Sequence, residues 1–432
     1  MLDIIKWITV NIFGEASILI GLIVCLGLVL QKKSVSDTVT GTLKGILGFL
    51  IIGAGAGIIV QALLAFQPIW TEVFGLKQMT LDQIIGQESF IAQYGSSVTL
   101  AMAIGFAINL LLARFTPWKY VYLTGHMMFW TTMIFAGIAV NVAPDVSAFK
   151  LTTFLAILMG LYWTAQPAIT QPFMRKVTGN DNIALGHTSA SVAIIGALSG
   201  KLFAKNKIDS ADIKVPENLG FLRDSNVVTA LTMLLLFFIG TFIIQIKGGE
   251  KAQEILSASG DLSFYVYSLK QSLLFTGGIA VVLLGVRMFI GEMVPAFKGI
   301  SDKLVPNAKP ALDCPLVFNY SQNGVVIGFV GAFIGSLIWL TVIGNTTGYV
   351  FVPSMIVLFF HAGTAGVFGN STGGAKGALL AGFITSTIVA WGQYFCVTYL
   401  IDSTIPDTAL WAADSDMFIL APIVDLLAGL LL

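Results

Sequence analysis

The chain predicts an all-α polytopic membrane protein of about ten or eleven crossings, with re-entrant hairpin elements and two structurally related, inverted repeats. Three observations lead there. Of 432 residues, 56% are hydrophobic and 11% charged, where a soluble domain carries roughly a quarter charged residues. That leaves too little polar surface to cover a water-exposed globule. Apolar stretches near the ~20 residues that a bilayer demands recur from end to end. Finally, two stretches are apolar yet crowded with Gly, Ser, Thr and Asn, which suits backbone buried in protein or lining a cavity at membrane depth.

Taken in order, the opening "MLDIIKWITVNIFGEAS" lacks the basic region and small-residue cleavage site of a secretory signal and reads as an amphipathic lead-in. Spans then fall at 16–31, 42–66, 96–115, 120–142, 149–169, 227–246, 268–290, 325–343, 349–368, 377–400 and 417–432. Lys32, Lys33, Arg114, Lys119, Arg175 and Lys176 fall on one side if successive spans alternate. The positive-inside rule places that side in the cytoplasm and the N-terminus outside. Lys201, Lys205, Lys207, Lys214 and Arg223 make the mid-chain connection cytoplasmic as well, and the acidic loop 402–416 is expected outside. No soluble domain interrupts the spans, so residues 1–432 read as a single membrane-embedded unit.

The two irregular stretches are "LGHTSASVAIIGALSG" (185–200) and "FFHAGTAGVFGNSTGGAKG" (359–377). Each reads as a broken or re-entrant element, with close helix packing through small residues as the alternative. A weak internal echo favours the cavity. "LKGI" at 43–46 returns as "FKGI" at 297–300, and "IGF" at 104–106 returns at 327–329. A histidine-bearing segment follows each "IGF". The order suggests a repeat in 1–220 and another in 260–432, and transporters built so bind solute where broken helices from both halves meet.

Ionisable groups within a bilayer are costly and point to function. All three histidines lie in apolar, small-residue settings: "TGHMM" (His126), "LGHTS" (His187) and "FFHAG" (His361). His126 has Gly125 and Thr124 beside it, leaving room for a ligand. His187 precedes a stretch whose helix start would favour an anion. For both, a packed histidine bonded to a backbone carbonyl is the competing reading; for His361 it is an interfacial position. Asp313, at the mouth of a long uncharged run, is either an acceptor for solute hydroxyls or a helix N-cap. Trp130 is either packing or a stacking wall. The glycines of "GAGAG" (53–57) imply close approach of a helix or of a ligand.

Net charge is zero and no basic block is present, which argues against nucleic-acid binding. Cys25, Cys314 and Cys396 are scattered, with no disulfide or metal spacing, and no nucleotide-binding loop is found, so neither a metal nor a cofactor is expected.

The stretches "LTGHMMF" (123–129), "LGH" (185–187), "GVRMFIGEMVPAFKGISDKLVPNAKPALDC" (285–314), "NGVVIGF" (323–329) and "FFHAGTAGVFGNSTGGAKGAL" (359–379) resemble one family over nearly the whole chain. It is the membrane-embedded IIC component, or permease, of the ascorbate-type phosphoenolpyruvate-dependent phosphotransferase system, in the ascorbate–galactitol superfamily. The resemblance implies a homodimer in the bacterial cytoplasmic membrane and elevator-type movement of a core domain against a scaffold. It further implies uptake of L-ascorbate or a similar small anion, phosphorylated by a separate cytoplasmic IIB protein. IIA and IIB domains are absent from the reading of this chain, so its cysteines are not phosphoryl carriers.

Family binding residues map onto His126, His187 and Asp313, and the glycine-rich site of the second span onto Gly55 and Ala56, where the family pattern has Gly-Ser. Glutamines of that pattern are replaced by Trp130 and Thr188, and its Thr-Tyr-Ala stretch has no clear partner between 78 and 96. These departures open the substrate to another sugar acid or polyol. A proton-coupled secondary transporter of a small polar anion, with buried histidines as relays, and a non-transporting receptor are the competing functions.

Overall fold

The computed structural model describes residues 16–75, 85–213, 221, 224–349, 351, 353–401, 404 and 414–432. The amphipathic lead-in, Lys214, Arg223, most of the acidic loop and the 78–84 part of the unmatched Thr-Tyr-Ala stretch lie outside the described residues. Among the described residues, the regular structure is helical apart from three short strands.

In chain order the helices are α1 (Ala16–Leu30), α2 (Val35–Phe74), α3 (Ile85–Phe115), α4 (Gly125–Val142), α5 (Ala148–Thr178) and α6 (Ala190–Gly200). Then follow α7 (Ser225–Lys247), α8 (Glu250–Ser257), α9 (Phe264–Lys303), α10 (Pro315–Phe318), α11 (Gln322–Thr347), α12 (Met355–Cys396) and α13 (Ser415–Leu431). Serines set many of the starts. Ser34, Ser263, Ser321 and Ser354 each accept a backbone N–H three residues on, at 3.0, 3.3, 3.3 and 3.4 Å, which satisfies donors a helix start leaves unpaired.

Among the described residues, eight helical segments are long and apolar enough to cross a membrane, fewer than the ten or eleven expected. Two causes account for the difference. Helices α1 and α13, of 15 and 17 residues, are short for a full crossing. The expected spans 349–368 and 377–400 are both part of α12, one helical element interrupted at Gly374 (φ 66°, ψ −157°). That conformation is essentially reserved for glycine. The chain reverses there: a Cβ on Gly369 would meet the Gly377 backbone, although eight residues of straight helix would separate them by about 12 Å. The Gly-rich stretch is thus the tip of a helical hairpin.

The helices pack as two bundles. In one, α1, α2, α7 and α9 associate, with α2 and α9 lying along each other. Their glycines make this possible. A Cβ on Gly48 would fall 2.6 Å from the Phe289 nitrogen, one on Gly55 2.6 Å from the Val282 nitrogen, and one on Gly285 2.6 Å from the Ile52 nitrogen. Small residues at helix crossings let backbones approach where lipid removes the hydrophobic drive for association. The other bundle gathers α3 to α6 and α11 to α13, with α11 against both arms of the α12 hairpin and α6 against α12.

Inside the second bundle lies a feature the sequence did not predict: a parallel sheet of order β1-β3-β2, made of Tyr120–Tyr122, Lys309–Leu312 and Ala184–Leu185. Strands of two to four residues are too short to show alternation. An open sheet edge within hydrocarbon would leave backbone groups unpaired, and buried amides close both edges. Asn109 donates to the Tyr120 carbonyl (3.0 Å) and accepts from the Tyr122 N–H (3.1 Å). On the far edge Gln166 donates to the Leu185 and His187 carbonyls, each at 3.3 Å, and Gln171 to that of Ile183 at 3.1 Å.

Candidate solute-binding cavity

The three strands end together, and each hands the chain to a residue singled out from sequence. After β1 come Thr124, Gly125 and His126; after β2, Gly186 and His187; after β3, Asp313 and Cys314. Because the strands are parallel and in register, these loops meet at one edge, the same end at which open α/β sheets hold ligands. A cavity of about 340 Å³ opens there, lined by His126, Met127, His187, Asp313, Cys314, Pro315, Val357, His361 and Asp414, among others. Phe49, Ile52, Gly53 and Ala56 of α2 supply a wall from the other bundle. The volume is within the range of small-molecule sites.

Helix starts surround this space. First-turn residues of α4 (His126, Met127), α10 (Pro315) and α12 (Ile356, Val357) line it, as does Asp414, the residue before α13. Unpaired N–H groups and the positive dipole ends of helices favour anionic groups here. The start of α6 is different. Its Ser191 N–H donates to the Asp416 carboxylate (2.8 Å), whose second oxygen accepts from the Tyr162 hydroxyl (2.8 Å). An internal carboxylate therefore occupies the place that the sequence offered to a bound anion.

The imidazoles and carboxylates form two groups. Asp313 stands between His126 and His187, with Nε2 of each 3.7 Å from a carboxylate oxygen. That is beyond hydrogen-bond range, so these groups remain available to a ligand. Asp313 also accepts the Cys314 N–H at 2.6 Å. It thus combines a local cap-like bond with a place on the cavity wall. In the second group His361 Nε2 lies 3.1 Å from Asp414, whose other oxygen accepts the Thr188 hydroxyl at 2.8 Å. Ser415 N–H donates to His361 Nδ1 at 3.4 Å, and its hydroxyl donates to the Thr188 carbonyl at 3.0 Å. The His187 and His361 rings meet edge to face at 5.1 Å.

His126, His187, Asp313, His361 and Ala56 all face the cavity. Thr188 sits behind it, fully buried, where it orients Asp414. Gly55 turns away from the cavity, against Gly278 and Val282 of α9. Trp130 is half-buried and packs edge-on against Phe129, 5.5 Å between ring centroids. Asp414 and Asp416, at the end of the acidic loop expected outside, are buried, and neither is among the residues the sequence singles out. At the opposite end of the strands Asp181 accepts from Arg175 (2.8 Å), Gln171 (2.6 Å) and Lys309. Burial alone would raise its carboxyl, but these donors outweigh burial and hold it at about 2.

A multi-pass helical chain with a largely apolar cavity between two bundles, into which three histidines and two aspartates face, suits the passage of a small solute. The chain belongs to the family of PTS system sugar-specific permease components, whose family model matches residues 11–416. It is similar to the "Ascorbate-specific PTS system EIIC component" of Mycoplasma pneumoniae, with 27% identity over 436 positions that cover 88% of this chain. The chain spans 65% of that relative's length.

Proposed function

We propose that this permease takes up L-ascorbate, or a closely related small sugar acid, and delivers it for phosphorylation by a separate phosphorylated IIB protein on the cytoplasmic side. The observation that carries this reading is the convergence of His126, His187 and Asp313 on one cavity ringed by helix starts. Ascorbate is a compact anion with several hydroxyls. Imidazole N–H groups and helix starts suit its charge, and Asp313 suits its hydroxyls.

Translocation is by elevator-type movement of the bundle bearing the sheet and α12 against a scaffold formed around α2 and α9. Support comes from the cavity wall, since most of it belongs to one bundle and α2 alone contributes from the other. The scaffold assembles a homodimer in the bacterial cytoplasmic membrane, with the N-terminus outside and the basic loops facing IIB. The β2–α6 stretch and the α12 hairpin act as re-entrant elements. The halves 1–220 and 260–432 act as inverted repeats: in each, a long helix (α2, α9) precedes a second membrane helix (α3, and α11 after β3 and α10), and then comes one starting at the cavity (α4, α12).

The test is uptake of labelled ascorbate into vesicles holding the full chain, with and without phosphorylated IIB. Phosphorylated product inside, lost in His126→Ala and His187→Ala, is the expected result. Uptake of unmodified solute driven by a proton gradient would replace this reading with a secondary transporter. Unchanged affinity in both variants would remove the histidines from the site.

A further inference from the structure

The second bundle carries a cleft that shares no lining residue with the solute cavity. It holds about 380 Å³ between α5, α6 and α13, and its walls are almost wholly apolar. We infer that this cleft binds one acyl chain of an anionic phospholipid, with the headgroup held beside Trp118.

The cleft exists because two short helices meet start to start. Helices α6 and α13, of 11 and 17 residues, each fall short of a full crossing. Their beginnings are joined by the Ser191 N–H donating to the Asp416 carboxylate (2.8 Å) and the Asp416 N–H to the Thr188 carbonyl (2.9 Å). Beside this junction α5 presents Leu158, Leu161, Tyr162, Ala165, Gln166 and Ile169, spaced three and four apart and so on one face. That face is about 17 Å long at 1.5 Å per residue. It matches about half of the ~30 Å hydrocarbon core, the depth that the chains of one leaflet fill.

Three observations select a lipid over a second copy of the chain. Leu161, Ile169, Ile419 and Ile423 line the cleft and are exposed, and α5 is among the helices fit to cross a membrane, so the cleft opens to hydrocarbon. It also lies on the bundle away from α2 and α9, the helices assigned above to the dimer scaffold, so a copy docked there leaves it open. Finally, Trp118 lines one end of the cleft, and tryptophan favours the membrane–water interface. Lys119 follows it directly, with Nζ 2.9 Å from the Arg114 carbonyl, and the Arg114 guanidinium stands 5.7 Å from the centre of the Phe115 ring. Two cations beside an interfacial aromatic suit the phosphate of an anionic headgroup. An acyl chain in the cleft also keeps water from Asp416, whose bonds to Ser191 and Tyr162 are stronger in a low dielectric.

The test places the full chain in phosphatidylcholine vesicles with a small, fixed share of phosphatidylglycerol that carries a diazirine on its acyl chain. After illumination, labelled peptides are mapped by mass spectrometry. Replacing part of the phosphatidylcholine with unlabelled phosphatidylglycerol should cut labelling of the α5 and α13 cleft residues at least about fivefold. Labelling at Ile334 and Ile338, exposed on α11, should not change. Ala165→Trp, which fills the cleft, should lower cleft labelling by a similar factor and leave α11 unaffected. Arg114→Gln/Lys119→Gln should reduce the advantage of phosphatidylglycerol by about fivefold or more. Cleft labelling that is absent or tracks α11, or an unchanged headgroup preference in the double variant, overturns the proposal. The double variant alters two surface side chains, so the test stands even if Ala165→Trp fails to fold.

Discussion

Replacing Asp414 tests whether the buried acid–imidazole pair organises the cavity. The carboxylate takes His361 Nε2 at 3.1 Å on one oxygen and the Thr188 hydroxyl at 2.8 Å on the other. It thereby ties α13 to α12 and to the β2–α6 loop. In Asp414→Asn the amide oxygen still accepts from His361, and the amide nitrogen can donate to Thr188, whose hydroxyl then turns to Met127 Sδ at 3.1 Å. Both bonds survive without charge assistance. Charged hydrogen bonds contribute about 1.5–3 kcal/mol and neutral ones about 0.5–1.5, so the two together lose about 2 kcal/mol.

Asp414→Ala is different in kind. It removes both charge-assisted bonds, leaving the His361 Nε2–H buried without its acceptor and the Thr188 hydroxyl with only the Met127 sulfur, which costs about 3–5 kcal/mol. The measurement is the unfolding free energy of purified variants titrated with denaturant in one fixed micelle. His361→Ala and the double variant complete a cycle that isolates the pair. The reasoning fails if Asn costs as much as Ala, or if the coupling between positions 361 and 414 is within about 0.5 kcal/mol of zero.

On α9, Gly285→Ala should destabilise by about 1–3 kcal/mol, because its Cβ meets the α2 backbone at 2.6 Å. Gly291→Ala on the same helix meets nothing within 4 Å and should be neutral or mildly stabilising; a thermal midpoint for Gly285→Ala equal to that of Gly291→Ala would contradict this. Gly374→Ala should cost about 1–3 kcal/mol by forcing a side chain into a glycine-only conformation, read as faster proteolysis between α12's two arms. Asp181→Asn should lower stability modestly at neutral pH, since the bridge is half-exposed and screened. The folded carboxyl is depressed to about 2 from 3.8. Its contribution is therefore whole above about pH 4 and vanishes as pH falls toward 2. The wild-type and variant unfolding midpoints should converge over that window, and a gap that widens on acidification would refute the assignment.

Much of the architecture was legible because a bilayer writes itself into composition. Long apolar runs marked α2, α9 and α11, and the Gly-rich stretch marked a break that the fold places at Gly374. His126, His187 and Asp313 stood out because each is a costly group in an apolar run. The acidic loop concealed two further buried groups for a related reason. Charge patterns assign loops to sides, yet the chain carries Asp414 and Asp416 into the interior, where histidine, hydroxyl and backbone donors receive them. Glycine frees space on whichever side its helix turns, and at Gly55 that side faces α9. The strands and their amide seals left no periodic trace. Asn109 and Gln166 were visible only as isolated amides within apolar helices, a signal that in retrospect marks backbone needing a partner.

The sheet explains why so many polar groups can gather at this depth. A helix carries its side chains around a cylinder, so one helix can aim only a few at a common point. Parallel strands end side by side, about 4.8 Å apart, and the two outer strands each pass into a further segment on the same edge. In this way three distant sequence motifs reach one cavity without long side chains spanning the gaps. The edges sealed by Asn109, Gln166 and Gln171 make such a sheet tolerable away from water. Its ends, left free of any strand partner, are where backbone N–H groups and imidazoles become available to a solute. The same arrangement binds the motifs rigidly to one bundle, so relative movement of the bundles would carry His126, His187 and Asp313 together and change only what α2 presents to them.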